Sequence, residues 1–462
     1  MSVTSFALLQ SLVTPVLSEL RTELGTDQRT VTWVMTAYLL SASICTPLIG
    51  RIGDRIGKRR MLVGALAGLS VGSLVAGLAG SIEVMIAGRV IQGVGGGVLP
   101  LAFGIVRDEL PARRVPGAIG LLASLGAVGG GIGIVLAGPI VNALGHRWLF
   151  WLPALVTGVT AALAHVVVPD SPGRRAGRIS AAPALLLSGW LASLLIAVSQ
   201  GNAWGWASAP TLALLLGAVV LGASWIAVER RSSSALIDPA MMRLPAVWTT
   251  NAVSLLVGFG MYAAYAFLPQ FAQTPQATGY GLGASITESG IMLLPMAVTM
   301  FCAGLLSGTL VRSAGPRTIV VVGCLISAAA TAALALAHDE KWMHYAANAV
   351  MGAGTGLVLA CLSNLVVAAV PREQTGAASG VNANVRTIGG SLGTAVMAGI
   401  VTAGPRADGL PREAGYANGL LVLAVSLVAA AFLALLIPRA ARGGRGHGRH
   451  HDKAGHALES AP

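Results

Sequence analysis

Apolar residues in this chain come in long runs, each closed by a short polar stretch. A helix needs roughly 20 mostly apolar residues to cross a bilayer core. Fourteen runs are of that kind, at 3–22, 31–52, 61–80, 82–106, 116–141, 146–168, 181–200, 209–228, 247–272, 286–309, 316–338, 343–369, 376–403 and 416–437. The pattern predicts an all-α integral membrane protein with fourteen transmembrane helices. The first run begins almost at Met1 and continues without a small-residue cleavage site, which predicts a retained helix and not a removed signal.

The runs are organised by an internal repeat. IQGVGGGVL (91–99) matches VMGAGTGLV (350–358), with Gly93, Gly95 and Gly97 falling on Gly352, Gly354 and Gly356 at an offset of 259. ELPARRVPGAIG (109–120) matches AVPREQTGAASG (369–380) at the same offset within one residue, and SGTLVRSAGPR (307–317) echoes the stretch around Gly50–Arg60. The offset equals eight runs, yet six per half account for every match, so the seventh and eighth have no counterpart. The predicted organisation is a six-helix bundle over 1–168, two inserted helices with their loops over 169–245, a second six-helix bundle over 246–437 and a basic tail over 438–462.

Composition sharpens this reading. The 462 residues are 55% apolar and only 10% charged, with a mean hydropathy of +0.75, whereas a soluble chain carries about a quarter charged residues. The net charge of +12 raises the question of a nucleic-acid partner, but its distribution answers otherwise. If successive loops alternate sides, one side collects 22 of the 30 Lys and Arg, and the other only six. By the positive-inside rule the basic side is cytoplasmic, which places both termini there. Nucleic acid is therefore not an expected partner. Cys45, Cys302, Cys324 and Cys361 sit in apolar runs at unrelated spacings, with no metal or disulfide pattern. The histidines of the tail read as part of a solvated basic segment.

GRIGDRIGKRR (50–60) packs six charges into eleven residues, with Asp54 the lone acid among five bases. Asp54 can pair with Arg55 or Arg59, or cap the positive N-terminus of a neighbouring helix. Gly50, Gly53 and Gly57 permit a tight turn and close approach. This segment resembles the first signature of the major facilitator superfamily, the loop between its second and third helices. AGRVIQGVGGG (87–97) resembles the superfamily's fourth-helix motif. Fourteen runs with two central ones inserted, together with TWVMTAYLLSASICTPLIG (32–50) and QTGAASGVNANVRTIGGSLGTA (374–395), resemble its 14-spanner drug:proton antiporter branch. The resemblance covers essentially the whole chain. It implies that Asp54, with Gly50, Arg55, Gly57 and Arg59 around it, latches onto the start of the run near Gln374 and Gly376 and holds the cytoplasmic gate shut. Two positions depart from the branch: Leu9 stands where it usually has a first-helix acid, and the fifth-helix motif is altered around Gly133, Gly138 and Pro139.

Several further side chains are candidates for chemistry. Arg89 lies inside the fourth run with Gln92 one helical turn on, either an electropositive group in a central cavity or a cation satisfied by backbone carbonyls. Arg386, preceded by Asn382 and followed by three glycines, is its counterpart in the thirteenth run, facing a cavity or a helix–helix hydrogen-bond cluster. None of the 18 acids falls in mid-membrane; Glu288, at the start of the tenth run, comes nearest, either an acid for external proton capture or a solvated helix-start acid that suits the dipole, with Asp54 the other acid that could titrate as the gate moves. Asn251, Tyr262, Tyr265 and Gln270 are candidates to line a substrate path, where aromatic faces attract cations and stack on drugs. Gly129, Gly133, Gly138 and Pro139 are candidates for a tightly packed, bendable seam.

The expected function is that of a monomeric secondary transporter in the plasma membrane. It exports small organic molecules, drugs or antibiotics, by alternating access in exchange for protons. The partners expected are a small-molecule substrate, protons and the lipid bilayer, with no cofactor and no metal. Alternatives are a dedicated exporter of one endogenous metabolite and a non-transporting membrane sensor. No nucleotide loop or catalytic triad lies within the runs, so an enzyme is not expected.

Overall fold

A computed structural model describes residues 1–13, 16–170, 181–232, 237–404 and 410–438; the side chains at 17–19, 28, 29, 32, 127, 134 and 286 are not described. The basic tail beyond 438, with His447, His450, His451 and His456, lies outside the described residues, as does most of the loop at 170–178. The described residues are helical throughout their regular structure, with no strand among them.

The first half comprises α1 (Ser2–Leu12), α2 (Leu17–Glu23), α3 (Gln28–Ile56), α4 (Lys58–Gly77), α5 (Ile82–Gln92), α6 (Val98–Glu109), α7 (Val115–Leu144) and α8 (Trp148–Val167). After it come α9 (Ala181–Trp204), α10 (Ala209–Arg231) and the short α11 (Pro239–Met242). The second half comprises α12 (Pro245–Gln273), α13 (Ile286–Ala314), α14 (Pro316–Leu336), α15 (Lys341–Ala369), α16 (Thr375–Thr402) and α17 (Glu413–Ala434).

Among the described residues, 13 helical segments are long and apolar enough to cross a membrane. Fourteen were expected, and the difference is the first run. It is described as two short helices, α1 and α2, and residues 14 and 15 between them lie outside the described residues. The fourth run also differs from a uniform helix. It is two α-helices joined by a 3-10 segment, Gly93–Gly97.

The glycines of the repeat explain how the halves are built. A β-carbon on Gly97 would collide with Ile49 of α3, and one on Gly95 with Leu69 of α4. In the second half, Gly356 abuts the backbone of Met300 in α13, and Gly354 abuts Ser327 of α14. The matched glycines thus serve matched neighbours. In lipid, close backbone approach supplies the van der Waals contact that holds helices together, because burial of apolar surface gains nothing against acyl chains.

Two seams join the halves, α3 against α16 and α7 against α13. Under the repeat, α3 corresponds to α13 and α7 to α16, so each seam is the counterpart of the other. α9 lies over the first seam, touching both α3 and α16. Leu187, Leu191 and Leu195 pack there with Leu40, Ile44 and Leu392, and the Asn202 amide donates to the Ala395 carbonyl at 2.9 Å. α10 packs outside α9, where Trp190 and Trp225 stack with ring centroids 5.8 Å apart.

Candidate functional site

At the end of the bundle that carries the 50–60 segment, α3 closes on α16. α3 ends at Ile56, and Gly57, with φ of 115°, makes the turn into α4. In the last turn of α3, the side chain of Asp54 is 1% exposed. Its Oδ2 accepts from the backbone N–H of Gly376 at 3.1 Å and of Ala377 at 3.3 Å. Those amides belong to the first turn of α16, where helical N–H groups have no intrahelical acceptor and the helix dipole is positive. The close approach depends on two glycines that face each other. A β-carbon on Gly50 would lie 2.6 Å from the Gly376 carbonyl oxygen, and one on Gly376 would lie 2.6 Å from that of Gly50.

The bases around Asp54 divide their work. Lys58 Nζ lies 3.6 Å from Asp54 Oδ1 and 2.6 Å from Asp108 Oδ2, so the ion pair on Asp54 is made by Lys58. Arg59 turns away. It pairs with Asp170 at 3.0 Å and donates to the His165 carbonyl, tying α4 to the end of α8. Arg55 is buried and has an interaction partner of its own. Arg107, which sequence reasoning passed over, carries the second bridge between the halves. It donates to the Val370 carbonyl at 2.8 Å, the Thr375 hydroxyl at 2.7 Å and the Pro371 carbonyl at 3.4 Å. Asn384 adds a third contact, donating to the Ser43 carbonyl at 2.6 Å.

The counterpart seam lacks this charge. Arg312, at the repeat position of Asp54, is exposed, and among the described residues its hydrogen bond goes to Thr309 of its own helix at 3.4 Å. Small residues close that seam instead: Gly304 lies against Ser124, Gly120 against Ser307, and Asn364 donates to the Pro116 carbonyl at 3.1 Å. Gly129 and Gly133 face α1, where added β-carbons would strike Thr4 and Ser11. Gly138, with Gly131 before it, faces α13 at Thr287 and Ala297. Pro139, inside α7, is exposed. The glycines of α7 therefore serve two different partners, one in each half.

In the interior, Arg89 is completely buried. Its Nε donates to the Val34 carbonyl at 3.0 Å, Nη1 to Gln92 Oε1 at 2.7 Å, and Nη2 points at Met35 Sδ at 3.7 Å. The guanidinium carbon sits 4.3 Å above the centre of the Tyr38 ring, a favourable cation–π distance. Gln92 passes the network on, donating to Ser73 at 2.8 Å. Every one of these partners is neutral and lies in the first half.

Asn382 is bound to α12, donating to Asn251 at 2.9 Å and Ser254 at 2.8 Å. Tyr262 lies against Gly390 of α16 and meets Tyr265 edge to face at 6.4 Å. Gln270, near the far end of α12, is exposed. Glu288 starts α13: its N–H donates to Ser285 at 3.1 Å, and its carboxylate pairs with Lys341 of α15 at 2.5 Å. No bond joins it to Arg89. Leu9 is buried in the first-half core among Tyr38, Leu66 and Val98, so packing fills the place where an acid was expected. Among the described residues, no cluster of His, Cys, Asp and Glu has the makings of a metal site.

Two bundles, matched seams and a charged loop closing on one seam define a recognisable architecture. The family model described as the Major Facilitator Superfamily matches residues 1–394. The chain belongs to the major facilitator superfamily. It is a multi-pass membrane transporter. A multidrug resistance protein B homolog of Mycobacterium tuberculosis is 32% identical over 391 residues, covering 82% of this chain and 71% of the relative. The tetracenomycin C resistance and export protein of Streptomyces glaucescens is 29% identical over 393 residues, covering 84% and 72%. Against an uncharacterized transporter of M. tuberculosis, 29% identical, the chain spans 56% of the relative's length. The human organic anion transporter MFSD10 has the same fold, with a TM-score of 0.67 over 94% of this chain and 97% of that one at 16% identity.

Proposed function

We propose that this facilitator exports small organic molecules, drugs or antibiotics, across the plasma membrane by alternating access in exchange for protons. The basic end faces the cytoplasm. The observation that carries the reading is the clasp of Asp54 on the first turn of α16. It joins the two halves at one end of one seam through hydrogen bonds that a rocking motion can make and break. Relatives named for multidrug resistance and for antibiotic export supply the direction. In this reading Asp54 and Arg107 hold the cytoplasmic end shut while the outer end releases substrate, and the halves rock about a site near the membrane midplane. Glu288, paired with Lys341 at the outer end, is the acid placed to exchange protons.

The test is Asp54→Asn, which removes charge from the clasp without altering the span pattern. Efflux from proteoliposomes should fall to a small fraction of wild type while insertion and yield are unchanged. Wild-type efflux by the variant would remove the clasp from the mechanism. Wild-type efflux that ignores a protonophore would remove proton exchange. A second reading, a dedicated exporter of one metabolite, is favoured by the relative named for a single antibiotic; a substrate screen in an efflux-deficient host separates the two by breadth.

A further inference from the structure

The transmembrane interior holds two guanidinium groups, and the structure treats them differently. Arg89 has neutral acceptors and the Tyr38 ring around its donors. Arg386, near the middle of α16, is half-buried, and its side chain has no hydrogen-bond or ion-pair partner among the described residues. An ionised side chain at membrane depth is costly unless something compensates it.

The surroundings of Arg386 indicate what that compensating group is. Its Cγ lies 3.0 Å from where Gly258 of α12 would carry a β-carbon. One turn further along both helices, Tyr262 lies against Gly390. Tyr262 continues edge to face into Tyr265, with ring centroids 6.4 Å apart. One helical turn from Arg386 the contact of α12 with α16 thus carries two phenol rings, and no carboxylate among the described residues pairs with its guanidinium. All 18 acids of the chain lie in loops, tails or helix ends. Asp54 and Glu288 are paired with Lys58 and Lys341, and the buried Glu229, at the end of α10, accepts from the Ile237 N–H at 2.5 Å.

We propose that the substrates are planar aromatic organic anions, carboxylates or phenolates, bound by Arg386 with their rings against Tyr262 and Tyr265. The proposal rests on the export reading above and supplies its substrate class. The planar fork of Arg386 matches a carboxylate with two parallel bonds, and the tyrosines present offset and edge contacts to an aromatic ring. A lipophilic cation at the same place meets the like charge of Arg386 and no acid to offset it. An interior-negative membrane potential also favours exit of a monovalent anion, by roughly fiftyfold per 100 mV at equilibrium.

A pair of dyes sharing the xanthene scaffold tests this: anionic fluorescein and cationic rhodamine 6G, titrated against the purified full chain in uncharged detergent. Fluorescein should bind more tightly than rhodamine 6G. Arg386→Gln should weaken fluorescein by about tenfold or more, since Gln replaces two charge-assisted bonds with at most neutral ones, and leave rhodamine 6G no weaker, while Arg386→Lys loses less. Preference for rhodamine 6G, binding of neither dye, or unchanged fluorescein affinity in Arg386→Gln overturns the proposal. The wild-type preference decides the matter even if a variant fails to fold. Fluorescein that binds through Arg386 but is not moved by proteoliposomes under any gradient supports the anion site and overturns export. Rhodamine 6G moved in preference overturns the anion site and leaves export standing.

Discussion

Gly50→Ala is the sharpest perturbation of the closed end, because the atoms it meets cannot move aside. The new methyl would lie 2.6 Å from the Gly376 carbonyl oxygen and 2.8 Å from its carbon. Both are backbone atoms in the first turn of α16, so relief requires the helices to part by something near 1 Å, given ordinary carbon–oxygen contact at about 3.5 Å. Parting by that amount stretches the 3.1 and 3.3 Å bonds from Gly376 and Ala377 to Asp54 beyond hydrogen-bond range. Hydrogen bonds to a charged group are worth about 1.5–3 kcal/mol each. Water entering the opened end recovers part of this, so we take the net loss as about 2–3 kcal/mol, a shift of roughly 30- to 150-fold toward the open form. The assay is the labelling rate of Ser379→Cys, a buried position in the same turn of α16, by a membrane-impermeant maleimide in a cysteine-free background. The rate should rise by about tenfold or more when Gly50→Ala is added, and transport should fall. Unchanged labelling together with wild-type transport would falsify the view that this contact opens during the cycle.

Further perturbations probe the other contacts. Arg107→Ala removes three acceptor contacts on the α15–α16 connection and should slow transport while leaving yield intact; undiminished transport would confine Arg107 to a surface role. Arg89→Lys should destabilise the first half by about 2 kcal/mol, since an ammonium cannot reach Val34, Gln92 and the Tyr38 face together; the midpoint of thermal unfolding in detergent reports it, and an unchanged midpoint contradicts the structural role. Glu288→Gln breaks the pair with Lys341 and should uncouple efflux from the pH gradient while gradient-free exchange persists; full proton-driven efflux would move the proton site elsewhere. Cysteines along 209–228 of α10 should show no substrate protection, because this helix packs outside α9, and extensive protection there would contradict its placement.

Much of this architecture is legible without coordinates, and the reason is that the bilayer imposes few choices. Runs of about 20 apolar residues must be spans, the 259-residue glycine repeat must be two similar halves, and a lone acid in a basic loop invites a helix N-terminus as its partner. Contacts were a different matter. The spans are apolar on nearly every side, since lipid and protein core make the same demand, so no polar stripe marks which face meets which neighbour. Lys58 and not Arg59 pairs with Asp54 because Arg59 lies next to Asp170 in space, a proximity of residues 111 apart in sequence. Arg107 is an ordinary loop-side base until α6 is set beside the start of α16. Gly129 and Gly133 form the α1 face and Gly131 and Gly138 the α13 face, a division that only the angular placement of α7 between two partners reveals. The same holds for the two intramembrane arginines, alike in sequence: α3 brings Tyr38 and the Val34 carbonyl to Arg89, while α12 sets Gly258 against the stem of Arg386 and supplies its guanidinium no hydrogen-bond partner among the described residues.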